Sequence, residues 1–352
     1  MPEGLEPRPE IAVTAGDILV TRAGPSDRVG VVAYVRRTRP KIMLSDKLIR
    51  LRVKALHCPD FIARCLGSKQ AQDQLKGQKS GLAKSQTNIS QQGLLAVRLV
   101  TPTLPEQQKI AAFLTAVDGR IEQLSRKKAL LEAYKKGVMQ QLFTQTLRFQ
   151  DDHDHDFPDW EEKTLGDFFT FKNGYNAEKD QYGKGTKFIN VLDVLSSKPI
   201  THESILGRVD IPEKEFAKFE VTYGDILFQR SSETREEVGQ ANVYLDREHS
   251  AVFGGFVIRG KPIREFDPLF MNYLLRTPIA RNEITSKSGG STRYNVSQDT
   301  LAEARIVIPS SLPEQTKIAG FLSALDGKIG AVGEQMRQTQ AWKKGLLQQM
   351  FV

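Results

Sequence analysis

The strongest constraint on the fold is an internal repeat at a fixed distance. The segment LPEQQKIAAFL at residues 104–114 returns as LPEQTKIAGFL at residues 312–322, 208 residues later. Aligned without a gap, residues 104–143 and 312–351 are identical at 20 of 40 positions. Two short motifs, Asp-Gly and Lys-Lys-Gly, are among the identities; they begin at Asp118 and Lys135 in the first copy and at Asp326 and Lys343 in the second. Repetition at this density indicates a duplicated structural unit.

Each copy predicts a long amphipathic helix. A hydroxyl residue, Thr103 or Ser311, precedes Pro and Glu in the spacing of a capping box, with Pro in the first turn. Apolar residues then follow a 4-3 heptad, interrupted at the equivalent positions Lys135 and Lys343. Two helices with one apolar stripe each favour pairing with each other. The predicted interface residues are Ile110, Leu114, Val117, Ile121 and Leu124 in the first helix and Ile318, Leu322, Leu325, Ile329 and Val332 in the second.

The repeat extends into the segments ahead of the helices. VTAGDILVTRAG at residues 13–24 resembles VTYGDILFQRSS at residues 221–232. Runs rich in β-branched and aromatic residues predict strands at residues 18–21, 30–35, 95–100, 226–229 and 252–258. With short helices between them, these strands predict two α+β domains, each built on a mostly antiparallel sheet, in the order domain, long helix, domain, long helix.

The repeat has one asymmetry. Ahead of Val221 the second domain extends back to Glu161, whereas the equivalent Val13 follows only the segment from Met1 to Ala12. Most of the segment that precedes Val221 in the second domain therefore has no counterpart in the first. We expect the first domain to be shortened at its N-terminus or to be completed by another chain.

The charge distribution suggests a polyanionic partner. The net charge is +8, and residues 1–103 alone hold 17 Lys and Arg against 8 Asp and Glu. Nucleic acid is the first candidate, with a basic surface kept for solubility as the alternative. Amide side chains can pair with adenine and Arg with guanine, while basic and aromatic residues suit phosphate contact and base stacking. The candidate DNA-binding residues are Arg22, Lys84, Gln86 and Asn88 in the first domain, and Lys172, Tyr175, Lys187, Arg230, Arg293, Tyr294 and Asn295 in the second. For each residue, an ordinary polar loop is the alternative interpretation.

Motifs for catalysis are missing from the sequence. There is no phosphate-binding GxxxxGK[ST], no Gly-rich turn suited to S-adenosylmethionine and no HExxH. The two cysteines, Cys58 and Cys65, fit no zinc pattern. We therefore expect a non-catalytic protein without cofactor or metal. No apolar run approaches the ~20 residues of a membrane span, and the acidic, Pro-rich start does not resemble a signal peptide, so we expect a cytoplasmic protein.

The duplicated LPEQxKIAxFLxx[VL]D helices, their closing KKG[VL][ML]QQ[LM]F, the GDIL units and FPDWEEKTLG at residues 157–166 resemble the specificity subunits of type I restriction-modification systems. The resemblance implies two target recognition domains separated by two long antiparallel coiled-coil helices with pseudo-twofold symmetry. Each domain would read half of a bipartite double-stranded DNA site. The helices would fix the spacer and dock two methyltransferase subunits, with restriction and translocase subunits joining them. We expect domains at residues 1–103 and 150–311 and helices at 104–149 and 312–352.

Three alternatives stay open from the sequence. The shortened first domain could make the chain a partial or degenerate subunit, with a second copy of itself as a further partner. The long heptads alone would permit a coiled-coil scaffold without a DNA function. An enzyme in its own right would need a cofactor site that the motifs do not supply.

Overall fold

The computed structural model describes residues 8–83, 85–290 and 292–351. The chain divides into two compact units: unit 1 is Met1–Ala129 with Gly330–Val352, and unit 2 is Leu130–Ile329. Each unit therefore contains one globular domain and one segment of each long helix.

The first domain and the helix that follows it contain four strands, two helices, two more strands and two further helices among their described residues. In chain order they are β1 (Ile18–Thr21), β2 (Ala23–Gly24), β3 (Val32–Tyr34), β4 (Leu48–Leu51), α1 (Pro59–Gly67), α2 (Lys69–Gly77), β5 (Ser80–Ala83), β6 (Gln86–Asn88), α3 (Gln91–Leu95) and the long α4 (Leu104–Phe143).

The second domain is larger. Its elements are β7 (Trp160–Thr164), β8 (Phe169–Asn173), β9 (Tyr182–Ile189), α5 (Val191–Val194), β10 (Arg208–Val209), α6 (Glu213–Phe219), β11 (Glu220–Val221), β12 (Ile226–Gln229), β13 (Ser231–Ser232), β14 (Ala241–Val243), β15 (Ala251–Phe253), β16 (Val257–Pro262), α7 (Pro268–Leu275), α8 (Pro278–Ser286), β17 (Tyr294–Asn295), α9 (Gln298–Ala302), β18 (Arg305–Pro309) and the long α10 (Leu312–Met350).

The two domains share a central sheet of the same order. The first has the order β3-β1-β4 and the second β14-β12-β16-β8. The registers agree as well, since Val20 pairs with Ile49 as Phe228 pairs with Ile258. Both sheets are antiparallel, and each domain also contains short helices. The α+β fold and the repeat upstream of the long helices are confirmed.

The second domain carries strands for which the described residues of the first domain offer no counterpart. Strand β8 pairs with the outer edge of β16, β7 pairs with β18, and β9 pairs in parallel with β15. Residues that these extra strands cover in the second domain are more exposed in the first. Val252 and Ala251 in β15 are both 0% exposed. Their equivalents in the first domain are Met43, which is half-buried, and Ile42, which is 36% exposed. The asymmetry of the repeat thus corresponds to one contiguous group of strands.

Two strand predictions were wrong. Residues 252–258 form two strands, β15 and β16, because the chain turns at Gly254 and Gly255. Residues 95–100 form no strand, although their counterpart includes β18. Arg98 and Arg305 are nevertheless equivalent in the two domains. The backbone amide of Arg98 donates to Gln74 Oε1 at 2.9 Å, and the backbone amide of Arg305 donates to Glu283 Oε1 at 3.0 Å. β18 is a strand because β7 pairs with it, and the described first domain provides no such partner.

The long helices are attached to their domains by the glutamine of the repeated LPEQ motif. Gln107 is 1% exposed; its Nε2 donates to Pro102 O at 2.8 Å and its Oε1 accepts from the Cys58 amide at 2.9 Å. Gln315 is 4% exposed and makes the same bonds to Pro309 O and the Asp267 amide. Each glutamine therefore joins the start of a long helix to the start of α1 or α7.

All ten predicted interface residues are buried or half-buried. Seven are buried: Leu114, Val117, Leu124, Ile318, Leu322, Leu325 and Val332. Ile110, Ile121 and Ile329 are half-buried. Within unit 2, Ile318 and Leu322 of α10 share a core with Val138 and Leu142 of α4. None of the helices in the described part of the chain is long and apolar enough to span a membrane.

Candidate nucleic-acid interface

Arg230 lies at the end of the central strand β12, where backbone hydrogen bonds fix its position. Its amide donates to Phe256 O at 2.9 Å, and its carbonyl accepts from the Val296 amide at 3.0 Å. Its Nη1 donates to Gly255 O at 3.2 Å. The side chain is half-buried. The bond to Gly255 O anchors one edge of the guanidinium and uses one of its five N–H donors, so four donors are not used in this bond.

The segment from Arg293 to Asn295 forms a short ribbon beside Arg230. Strand β17 pairs with β13, and the Asn295 and Gly289 backbones exchange hydrogen bonds at 2.8 and 3.0 Å. Gly290 has φ +121°, and a Cβ there would lie 2.0 Å from Arg293 O, so this turn requires glycine. Asn295 accepts from the Ser231 hydroxyl and donates to Arg293 O, which orients its exposed amide. Arg293 is exposed, and Tyr294 is half-buried.

Residues 172–187 also lie near Arg230, because they contact the turn at Gly254 and Gly255. Tyr175 bridges to Gly254, and a Cβ on Gly255 would lie 1.8 Å from Asn176 Oδ1. The Lys172 ammonium lies 5.0 Å from the ring centroid of Phe219, and Tyr175 contacts the same ring at 5.4 Å. This segment therefore packs directly against the turn that holds Arg230.

Lys187 differs from the other candidates. Its ammonium donates to Ile205 O at 2.5 Å inside the domain, and its side chain is half-buried. The more exposed groups of this segment are Tyr182, at 51%, and Lys184, which forms an ion pair with Asp210 at 3.0 Å. Contact of Lys187 with DNA stays a prediction.

Phe256 is a candidate that the sequence analysis missed. It is 64% exposed although it lies between two buried strands, and its carbonyl bonds Arg230. An exposed ring beside an anchored guanidinium suits stacking on a base. The signal in the sequence was the Gly-Gly pair before Phe256, which breaks the strand and places this residue at a turn.

The first domain repeats the arrangement around Arg22. The Arg22 amide donates to Lys47 O at 2.7 Å, and the Ile89 amide donates to Arg22 O at 2.9 Å. Lys47 thus takes the place of Phe256. Strand β2 pairs with β6, which brings Gln86 and Asn88 beside Arg22, all three with exposed side chains. Lys84 lies outside the described residues.

Other basic residues of the second domain have internal roles. Arg276 donates to the carbonyls of Ser196, Ser197 and Ala241, and burial lowers the pKa of its guanidinium. Burial likewise lowers the pKa of Arg281 to about 10, and this side chain donates to Val238 O at 2.6 Å. The described residues include no group of three or more side chains that could hold a metal ion.

The chain belongs to a family of DNA specificity proteins. The profile of the family described as "Type I restriction modification DNA specificity domain" matches residues 2–133 and 158–336. The matched residues cover both domains and most of both long helices.

Individual relatives carry corresponding names. The EcoEI type I specificity subunit of Escherichia coli is 43% identical over 111 residues, which are 31% of this chain and 19% of that protein. A putative MjaX type I specificity subunit of Methanocaldococcus jannaschii is 28% identical over 200 residues, or 55% of this chain and 45% of that protein. The chain thus spans less than half the length of these two relatives.

Solved structures show the same fold. The S subunit of a type I restriction-modification system from M. genitalium has a TM-score of 0.59 at 17% identity, covering 97% of this chain and 84% of that one. The HsdS subunit of Thermoanaerobacter tengcongensis has a TM-score of 0.51 at 18% identity, covering 96% and 80%.

Proposed function

We propose that this chain is the DNA sequence-recognition subunit of a type I restriction-modification complex and catalyses no reaction itself. In this proposal it reads double-stranded DNA and docks two methyltransferase subunits, which restriction and translocase subunits join in the cytoplasm. The recognition domains correspond to residues 1–103 and 150–311, and the docking segments to 104–149 and 312–352, which contain α4 and α10.

One observation carries the proposal: each domain presents an arginine at the end of its central strand within the same set of backbone hydrogen bonds. Arg22 and Arg230 each donate to a residue ahead of the next strand of the sheet and accept from the segment carrying Asn88 or Asn295. A purely structural arginine in one domain would not need an equivalent in the other domain, and it would not need an amide side chain beside it in both. Two like readers in one chain suit a target with two parts, since half-site recognition follows the symmetry of the protein.

The two domains are not equal in this proposal. In the second, Arg230, Phe256 and Asn295 are backed by residues 172–187, whereas the described first domain has no equivalent of that segment. A second candidate function is a partial subunit in which only the second domain reads bases and the first supports the helices. Both candidates keep the same partners.

Methylome sequencing distinguishes them. The chain is expressed with its methyltransferase subunit in a host without adenine methylation, and methylated adenines are mapped genome-wide. A two-part motif is expected for a chain that reads both halves. A single-part or palindromic motif would support the partial subunit, and no sequence-dependent methylation in an assembled complex would contradict both.

A further inference from the structure

The two short motifs repeated in both long helices meet each other in the structure. In unit 1, Lys343 Nζ lies 2.6 Å from Asp118 Oδ1. In unit 2, Lys135 Nζ lies 2.6 Å from Asp326 Oδ1. Each pair joins the Asp-Gly motif of one helix to the Lys-Lys-Gly motif of the other. The repeat maps one pair onto the other with the helices exchanged.

Both pairs belong to one antiparallel register. The spacing from Asp118 to Lys135 in α4 equals the spacing from Asp326 to Lys343 in α10. Within unit 1, a Cβ on Gly333 would lie 3.7 Å from Lys128 Cε, which fits the same alignment. Sliding one helix along the other would therefore break both ion pairs together.

Each aspartate also holds the adjoining domain. Arg64 in α1 donates to Asp118 Oδ2 at 2.9 Å, and Tyr273 in α7 donates to Asp326 Oδ2 at 2.6 Å. Lys135 Nζ lies 4.9 Å from the centroid of the Tyr273 ring. Every pair is thus the centre of a contact among three helices.

The lysines stand where an apolar residue would otherwise continue the heptad. Lys135 is 19% exposed and Lys343 28%. An apolar seam alone permits a shift by one heptad, about 10 Å at ~1.5 Å per residue. A charged residue in the seam tolerates only the alignment that supplies its partner, and such residues are known to specify register at a cost in stability.

The environment of Asp118 favours its ionised form. Burial opposes ionisation of Asp118, but the bonds from Lys343 and Arg64 outweigh this effect and keep the pKa of Asp118 below its usual value. Arg36 also faces this carboxylate, at 3.4 Å.

We propose that the Asp118–Lys343 and Asp326–Lys135 pairs are register locks, positioning residues that select one antiparallel alignment of α4 and α10. They contact no DNA in this role, so the proposal goes beyond the proposed function and does not depend on it. Within unit 1 the lock also fixes the contact of α1 with α4, and within unit 2 it fixes the contact of α7 with α10.

Electron–electron resonance distances test the locks directly. Nitroxide labels are placed at the exposed positions Ala133 and Lys328, one on each helix of unit 2, after Cys58 and Cys65 are replaced with alanine. The test variant is Lys135→Met with Lys343→Met, which keeps the side-chain length and removes the charges. The matched control is Lys136→Met with Lys344→Met, the neighbouring lysines of the same motif, both on the exposed side.

The parent and the control are expected to show one narrow distance distribution. The test variant is expected to show a second population or a broadened one. The midpoint of urea unfolding is expected to fall, because Asp118 and Asp326 lose their lysine partners while the bonds from Arg64 and Tyr273 remain. A further variant combines Lys343→Met with the charge exchange Lys135→Asp and Asp326→Lys, so that one ion pair is present with its charges reversed. This variant is expected to show the single distance that the test variant lacks. A single native distance in the test variant would overturn the proposal. Loss of helical circular dichroism in that variant would overturn it as well, because the pairs would then stabilise the helices rather than select their register.

Discussion

Replacing Arg230 with alanine tests the proposed interface at its best-defined point. The guanidinium has five N–H donors, and one nitrogen bonds Gly255 O at 3.2 Å. The remaining edge can form the two-bond contact with a guanine that contributes about 1–3 kcal/mol of discrimination. We therefore expect Arg230→Ala to reduce the preference for the correct half-site by roughly 5- to 150-fold.

Arg22 supplies an internal comparison. It follows β1 as Arg230 follows β12, but its side chain is exposed, whereas Arg230 is half-buried and anchored. An unanchored side chain loses about 0.5–1.5 kcal/mol more in rotamer freedom on binding. Arg22→Ala is therefore expected to have a smaller effect than Arg230→Ala by about that amount.

The assay is competitive binding of the reconstituted complex to DNA duplexes that differ by one base pair, at two salt concentrations. Arg230→Lys keeps the charge and loses the planar fork, so we expect lower discrimination with an unchanged salt dependence. Arg305→Ala, on β18 and paired with Glu162, is the control for loss of one exposed positive charge. A folded Arg230→Ala complex with discrimination within twofold of the parent would refute the role assigned to this residue.

Three further predictions concern unit 2. Phe256→Ala is expected to weaken half-site binding by about 1–3 kcal/mol with no change in thermal stability, since the ring is 64% exposed; equal affinities in fluorescence anisotropy would contradict the stacking role. Burial raises the pKa of Asp225 from 3.8 to about 6, so the folded state retains this proton better than the unfolded state does. The free energy of unfolding should accordingly fall by up to about 3 kcal/mol as pH rises from about 4 to above 6, and Asp225→Asn should remove this component from urea unfolding curves; parallel curves for parent and variant would show that the site does not titrate. Leu322→Ala, at a fully buried position shared with Val138 and Leu142, is expected to lower the free energy of unfolding by about 2–5 kcal/mol, and a loss below about 1 kcal/mol would mean that the seam repacks.

The heptads and the repeat determined the long helices and the order of elements. The central strands Ile18–Thr21 and Ile226–Gln229 were also predictable, since β-branched and aromatic residues between glycines leave few other choices. These signals are local, because a periodic pattern predicts which face of a single helix or strand is buried. The repeat then allows a prediction made for one copy to be applied to the equivalent segment of the other.

Tertiary structure alone decided which segments pair and which side chains are used internally. Residues 98–102 and β18 have comparable sequences, yet only β18 has β7 beside it, and an isolated strand has no ladder to hold it. Lys187 is basic and lies in a polar segment, but its ammonium is committed to Ile205 O. The Asp-Gly and Lys-Lys-Gly motifs were visible as repeats, whereas their partnership across two helices was not, because the register of a helix pair depends on side chains distant in sequence that meet only in the folded chain.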